Sequence, residues 1–270
     1  MEILSINKTR CVKCGMCIEV CPAGIIRFIN SYPYAILEQA CMSCGHCVSI
    51  CPQEALDNLK TPLIKQISVK DMPKLDEAMV ARFMRMRRSI RCYRPESVPR
   101  EILFKLLDLA RYAPSGSNSQ GVSFIVVEDR EIMKKIIEVV VDWLEVQISN
   151  GQKWTKRYAG VTKIYRRTHK DIILRDAPHL IVALSSSDDT FGRDNAVLAL
   201  AYAELYATSI GLGTCWSGFV EMCGFDNYLP LIQVLKVPEG KKITGAIMVG
   251  YPKYTFHRLV DRNRLDVTWL

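Results

Sequence analysis

The chain is poor in histidine, with four among 270 residues. His169, His179 and His257 show none of the close spacing of metal-binding histidine pairs, so a histidine-based metal centre is excluded. His179 lies in an apolar stretch and reads as a core residue. No apolar run is long enough to span a bilayer. The best, Ile136 to Leu144, is interrupted by Glu138 and Asp142. The opening Met1-Glu2-Ile3-Leu4-Ser5 lacks the basic and apolar regions of a signal peptide. A dinucleotide fingerprint is missing too, because Gly211-x-Gly213 has no third glycine at the required position and follows a helix. Beyond residue 51 cysteine is scarce. Only Cys92, Cys215 and Cys223 remain, which argues against a disulfide scaffold. These three read as small buried hydrophobes.

What is abundant is cysteine at the start. Eight of the eleven cysteines fall within residues 11–51, in two copies of one pattern. The first is Cys11-x-x-Cys14-x-x-Cys17-x-x-x-Cys21-Pro22. The second, thirty residues on (41 − 11), is Cys41-x-x-Cys44-x-x-Cys47-x-x-x-Cys51-Pro52. Structural zinc usually takes two well-separated ligand pairs, which fits such runs poorly. Four thiolates so close in sequence suit a [4Fe–4S] cube, and the run ending in Cys-Pro is the bacterial two-cluster ferredoxin signature. In such runs the fourth cysteine crosses to the other cluster. One cluster then takes Cys11, Cys14, Cys17 and Cys51, and the other Cys41, Cys44, Cys47 and Cys21. Gly15 and Gly45 sit where backbone must pass close to sulfide. Ile25, Ile26, Ala55 and Leu56 are placed to shield the clusters from water. His46 has no ligand role, since its run already holds four thiolates. Free thiols and clusters together point to a reducing cytoplasm.

The formal charge of +8 counts those thiols as neutral. Eight thiolates and two oxidised cores of +2 each bring the loaded chain to roughly +4, since metal-bound thiols are deprotonated. That leaves little case for nucleic acid. The basic run Arg82–Arg94 is better explained by a phosphate-bearing cofactor.

Length suggests about two domains. Residues 1–60 fit a βαβ–βαβ cluster module and 61–78 a linker. The remainder, 79–270, interleaves strands and helices, and the whole is α+β. A helix is expected from Asp76 to Arg88, with Ala78, Met79, Phe83, Met84 and Met86 on one side. Further helices are expected over 100–112, 129–147 and 195–210, and strands over 123–127, 179–184 and 243–249. Residues 148–176 are polar and basic, a lid or a surface excursion. One of its aromatics (Trp154, Tyr158, Tyr165) is a candidate cover for a bound ring.

Three segments of the second part resemble the nitroreductase family of flavin mononucleotide (FMN) enzymes. They are Arg87-Arg88-Ser89-Ile90-Arg91, then Ala113-Pro114-Ser115-Gly116-Ser117-Asn118-Ser119-Gln120, then Gly211-Leu212-Gly213-Thr214-Cys215-Trp216-Ser217-Gly218, with Gly250-Tyr251-Pro252 and Arg258 downstream. The resemblance covers roughly residues 80–262. It implies an α/β flavin domain with a mixed sheet flanked by helices. It also implies a homodimer with FMN at the interface.

The resemblance implies roles for particular residues. Guanidinium forks match phosphate oxygens, which suits Arg87 and Arg258 to the FMN phosphate. Arg88 and Ser89 would bind along the phosphate and ribityl chain. Arg91 would approach the N1 and O2 edge of the ring, where a cation stabilises the anionic reduced form. Pro114, Ser115, Gly116 and Asn118 match a segment that reaches FMN from the partner subunit. Trp216, Ser217 and Gly218 match the loop near N5 and O4, where some members carry an acidic residue before the glycine. No side chain is singled out as catalytic, because the flavin performs the chemistry. The expectation is an oxidoreductase that passes single electrons through two clusters to FMN, which reduces a nitroaromatic, quinone or enone. The donor would be a soluble ferredoxin or a reduced nicotinamide. The alternative is an electron-transfer module that serves a protein partner.

Overall fold

The computed structural model describes residues 2–270. The chain divides into two compact units. One runs to Lys74 and includes Ser117–Ser119; the other holds Leu75–Gly116 and Gln120–Leu270.

The first unit is a doubled βαβ. It runs β1 (Leu4–Ile6), α1 (Met16–Glu19), β2 (Ile26–Ile29), β3 (Tyr32–Ala35), α2 (His46–Ser49) and β4 (Leu56–Asn58). β1 pairs with β4 and β2 with β3, both antiparallel, so the first and last strands close the repeat. Asn30 and Ser31 join β2 to β3 with φ of 50° and 67°, the left-handed pair that a two-residue hairpin turn requires. The short helices each begin at a glycine of positive φ, Gly15 at 81° and Gly45 at 73°. Ile25, Ile26, Ala55 and Leu56 are all buried, and three of them join Ile3, Leu4 and Val48 in a small core.

The second unit is built on one sheet of order β5-β6-β8-β7. Its strands are β5 (Ser123–Val127), β6 (His179–Ser186), β7 (Gly213–Trp216) and β8 (Lys241–Gly250). All four pair antiparallel. The parallel element comes from Ser89, which bridges to Thr214 at the outer edge. The helices are α3 (Glu77–Met86), α4 (Arg100–Ala110), α5 (Arg130–Ser149), α6 (Ala159–Thr168), α7 (Gly192–Ser209), α8 (Gly218–Phe225) and α9 (Leu229–Leu235). β6 is buried on both faces. Leu180, Val182 and Leu184 face the core shared with α5, α8 and α9, and Ile181 and Ala183 face α4 and α7. A strand covered on both sides reads as a continuous apolar run, which is why residues 179–184 were recognisable without alternation.

Several expectations shift. Asp76 is the cap of α3 and not part of it, its Oδ1 accepting Met79 N–H at 2.7 Å. Asp129 likewise caps α5 by accepting from Glu131 and Ile132. No residue of α3 is fully buried; Val80 and Phe83 are half-buried, and Met79, Met84 and Met86 are exposed. Residues 148–176 carry structure of their own. A 3-10 turn (Lys153–Tyr158) and α6 fold back on α5, where Arg166 meets Glu138, Asp142 and Glu145 at 2.7, 2.5 and 3.0 Å. Trp154 stacks on Trp143 at 5.8 Å and Tyr165 donates to Glu138 at 2.6 Å, so these aromatics are spent on packing. Cys92 is exposed, which corrects its reading as a buried hydrophobe; Cys215 and Cys223 are buried. Cys92 lies in an irregular segment between two single bridges, at Ser89 and Tyr93, and Tyr93 takes the inward position.

Candidate functional site

The first unit encloses two small cavities, and their walls sort the cysteines. One is lined by Cys41, Cys44, Cys47 and Cys21, together with Pro22 and Gly45. The other is lined by Cys11, Cys14, Cys17 and Cys51, together with Pro52 and Gly15. Each wall thus combines three cysteines of one run with the last of the other. That is the set a pair of cubes needs, and it follows from the fold, because β1 and β4 bring the ends of the repeat together.

The surroundings suit bound sulfur. Ala55 N–H lies 3.2 Å from Cys51 Sγ, and Asn58 Nδ2 lies 3.8 Å from Cys41 Sγ and 4.0 Å from Cys47 Sγ. Such donors tune cluster potentials. Asn58 was not singled out from sequence, since it falls outside both cysteine runs. Burial, reinforced by the neighbouring Cys14 thiol, pushes the Cys17 thiol up to about 11, and burial raises Cys47 as well. Metal binding at these sites therefore has to displace protons.

The second unit carries an arginine-lined cleft of about 610 Å³. Arg85, Arg87, Arg88, Arg91 and Arg262 line it with Ser89, and Asp261 is its single acid. This concentration of guanidinium groups fits a phosphate-bearing ligand. Arg88 also faces an adjoining cleft of about 350 Å³ with Arg258 and the turn Gly211–Thr214. Its Nη2 donates to the Arg258 carbonyl at 3.1 Å, and its guanidinium lies 4.2 Å from the Phe256 ring centre. Arg87 and Arg258 thus line separate clefts, with Arg88 on both.

A strand edge connects the arginines to the third motif. Ile90 N–H donates to the Thr214 carbonyl at 2.8 Å, beside the Ser89–Thr214 bridge. β7 then delivers Trp216, Ser217 and Gly218 at the start of α8. Ser217 is 1% exposed, and its Oγ is a buried atom without a hydrogen-bond partner. Gly218 faces open space. A buried hydroxyl without a partner calls for an explanation, and a bound group is one; neither Ser217 nor Gly218 lines the two clefts. Two carboxylates stand behind this edge, Glu221 buried and Glu204 partly so. Glu204 accepts from Thr214 Oγ1 at 3.1 Å and lies 3.8 Å from Arg87. Glu221 accepts from Trp216 Nε1 at 2.7 Å. Burial raises both, and hydrogen bonds and the arginines pull them partly back. Burial also raises the Cys215 thiol, with Arg91 and Ser89 pulling it partly back.

The remaining motif forms a loop of its own. Pro114 is exposed. Ser115 Oγ accepts Gln120 N–H at 3.0 Å, and Gly116 N–H donates to Asn195 Oδ1 at 2.9 Å. Asn118 belongs with the first unit, where its Nδ2 donates to the carbonyls of Met42 and Ser43 at 2.9 and 3.0 Å. None of the four lines the arginine cleft.

Comparison with known proteins agrees with this geometry. Residues 84–251 match the Nitroreductase family, and residues 10–56 match the 4Fe-4S dicluster domain. The chain belongs to the nitroreductase family of FMN-dependent oxidoreductases and carries an N-terminal iron–sulfur domain. It is 30% identical over 169 residues to an FMN reductase [NAD(P)H] of Bacillus subtilis (strain 168), covering 61% of this chain and 62% of that one. The chain thus spans less than two thirds of that relative's length. It is 24% identical to an iodotyrosine deiodinase of Nematostella vectensis, over 74% of this chain and 77% of that one. The fold is that of a nitroreductase with bound FMN from Bacteroides fragilis NCTC 9343, with a TM-score of 0.57 at 20% identity, covering 72% of this chain and all of that one. Among the described residues no helix is long and apolar enough to cross a membrane.

Proposed function

We propose that the chain is an iron–sulfur flavoprotein oxidoreductase with two [4Fe–4S] clusters and one FMN, acting on an electron-poor acceptor such as a nitroaromatic, quinone or enone. The observation that carries this reading is the joint presence, in one chain, of two four-cysteine cavities with crossed ligand sets and a cleft lined by five arginines. The clusters supply single-electron carriage, and FMN supplies the pairing of electrons into a hydride.

The residues divide the work. Cys11, Cys14, Cys17 and Cys51 hold one cluster, and Cys41, Cys44, Cys47 and Cys21 the other. Arg87 binds the phosphate in the cleft of five arginines, Ser89 adds a hydroxyl, and Arg88 joins that cleft to the one that Arg258 lines. Arg91 faces the ring edge. Ser217 Oγ and the Gly218 position meet the ring near N5 and O4. Pro114, Ser115, Gly116 and Asn118 serve the FMN of a second copy in a homodimer. The exposed Met79, Met84 and Met86 of α3 and the exposed tail ending in Trp269 and Leu270 are consistent with such a second copy. The donor is a soluble ferredoxin or a reduced nicotinamide, in the cytoplasm.

Anaerobic purification tests the reading. About eight irons with matching sulfide and one FMN per chain are expected, for two four-iron clusters. The reduced protein should be reoxidised by nitroaromatics, quinones or enones. Zinc in place of iron, or no flavin, sinks the cofactor assignment. Reduced protein that none of these acceptors reoxidises sinks the enzyme assignment and leaves electron transfer to a protein.

A further inference from the structure

Glu221 has no place in the flavin motifs, yet it is the most enclosed acid near them, at 6% exposure. It stands in the first turn of α8, one turn after Ser217, and its N–H donates to the Ser217 carbonyl at 3.0 Å. Its Oε2 accepts Trp216 Nε1 at 2.7 Å. Its Oε1 lies 2.8 Å from Arg193 Nη1 in a salt bridge. The same Nη1 donates to the Thr244 carbonyl of β8 at 2.8 Å. The Arg193 guanidinium also lies over the Trp216 ring at 5.3 Å and the Phe225 ring at 5.1 Å.

The Trp216 indole is therefore gripped twice. The carboxylate takes its polar edge and the guanidinium takes its face. A buried carboxylate is a costly way to fill space, and an apolar side chain of similar volume would pack without desolvating a charge. A charge kept here in spite of that cost points to the geometry it enforces. What it enforces is the path of residues 216–218, where the buried Ser217 Oγ has no partner.

We propose that Glu221, working with Arg193, is a positioning residue for the bound flavin: it fixes Trp216, and through it the Ser217–Gly218 segment against which the ring docks. The proposal rests on the flavin reading above. Arg193 and Glu221 come from the starts of α7 and α8, so the grip ties two elements to one loop.

The test compares Glu221→Ala, Glu221→Gln and Trp216→Phe in the full chain with its clusters in place. FMN affinity is read by flavin fluorescence, and the bound flavin by its visible spectrum and midpoint potential. Glu221→Ala should weaken FMN binding about tenfold, the scale of leaving one buried polar partner unpaired. It should also shift the flavin spectrum and potential. Glu221→Gln keeps an oxygen for Trp216 Nε1 and should restore most of the affinity and the spectrum. A Glu221→Ala protein with a lowered melting temperature but unaltered FMN affinity, spectrum and potential overturns the proposal, because the role is then only structural. If Glu221→Ala does not fold, Trp216→Phe decides. It removes the gripped nitrogen together with part of the ring that Arg193 covers, and unchanged FMN affinity and spectrum in that variant equally overturn the proposal. A wild-type chain that binds no FMN fails at an earlier step, since it removes the flavin reading itself.

Discussion

Ile90 fills the space that a side chain at Gly213 would need. A Cβ built on Gly213 would stand 2.6 Å from Ile90 Cγ1 and 2.8 Å from its Cβ. Ile90 is buried and β-branched, so it cannot swing aside cheaply. This contact lets the arginine segment lie against β7. Gly213→Ala should cost about 1–3 kcal/mol, the range for overpacking a tight site. It should also weaken FMN binding, because Arg87–Arg91 must move outward from Thr214. Denaturant unfolding and FMN titration of the variant check both effects. Unchanged stability would show that the segment yields without strain.

His179 gives the fold an acid limit. It is fully buried, and its Nε2 accepts Val98 N–H at 2.8 Å, with Ser97 Oγ at 3.2 Å. Burial holds the imidazole below its ordinary value of 6.5, with Glu128 pulling it partly back. The unfolded chain takes up this proton near 6.5 and the folded chain only at lower pH. As pH falls through that window the unfolded state binds more protons, so stability declines; below the folded value the decline from this group stops. His179→Gln should flatten this part of the stability curve. At neutral pH it should cost about 1–3 kcal/mol if Val98 N–H is left unsatisfied. Urea unfolding at a series of pH values reads both quantities.

The cluster module was legible because its chemistry is local. Four cysteines within eleven residues, twice, carry both the ligand type and the crossing. The flavin motifs were legible as segments, but their assembly was not. Arg87 and Arg258 read alike from sequence, yet they line different clefts, since the chain after β8 first pairs with Cys92–Arg94 and only then brings the Arg258 carbonyl to Arg88. Glu221 and Arg193 are 28 residues apart (221 − 193) on two helices, and nothing in either local sequence marks a pair. α8 escaped notice for a similar reason. Phe219, Val220, Met222 and Cys223 make it apolar on most sides, so no helical period stands out. How residues 148–176 pack was not legible, because Arg166 is one basic residue in a basic stretch. Its three carboxylate partners lie on α5.

The crossed ligand sets make a sharp prediction for Cys21. It sits in the first run but lines the cavity of Cys41, Cys44 and Cys47. Cys21→Ala should therefore behave like Cys41→Ala, and Cys51→Ala like Cys11→Ala. Each variant should fall from about eight irons to about four, or to a three-iron remnant of the affected cluster. Electron paramagnetic resonance of the reduced proteins would show which cluster survives. If Cys21→Ala matches Cys11→Ala instead, the crossing is wrong.

Glu204 works against the arginines that surround it. Its side chain is 12% exposed, 3.8 Å from Arg87, and burial raises it above the ordinary carboxylate value of 4.5. A carboxyl raised by folding contributes stability that is fully present below its unfolded value and is lost as pH climbs through its folded value. Glu204→Gln removes that loss, so the variant should gain stability over the wild type at pH 8 and much less at pH 4. The amide still accepts from Thr214 Oγ1, which keeps the strand edge intact. Arg87 loses its nearest anion, and an anionic ligand in the cleft should then bind roughly threefold tighter, as expected for one half-exposed ion pair. Thermal melts at the two pH values and FMN titration at two salt concentrations test this. Weaker FMN binding in Glu204→Gln would mean instead that the carboxylate aims Arg87 at the phosphate, and that its orientation outweighs its charge.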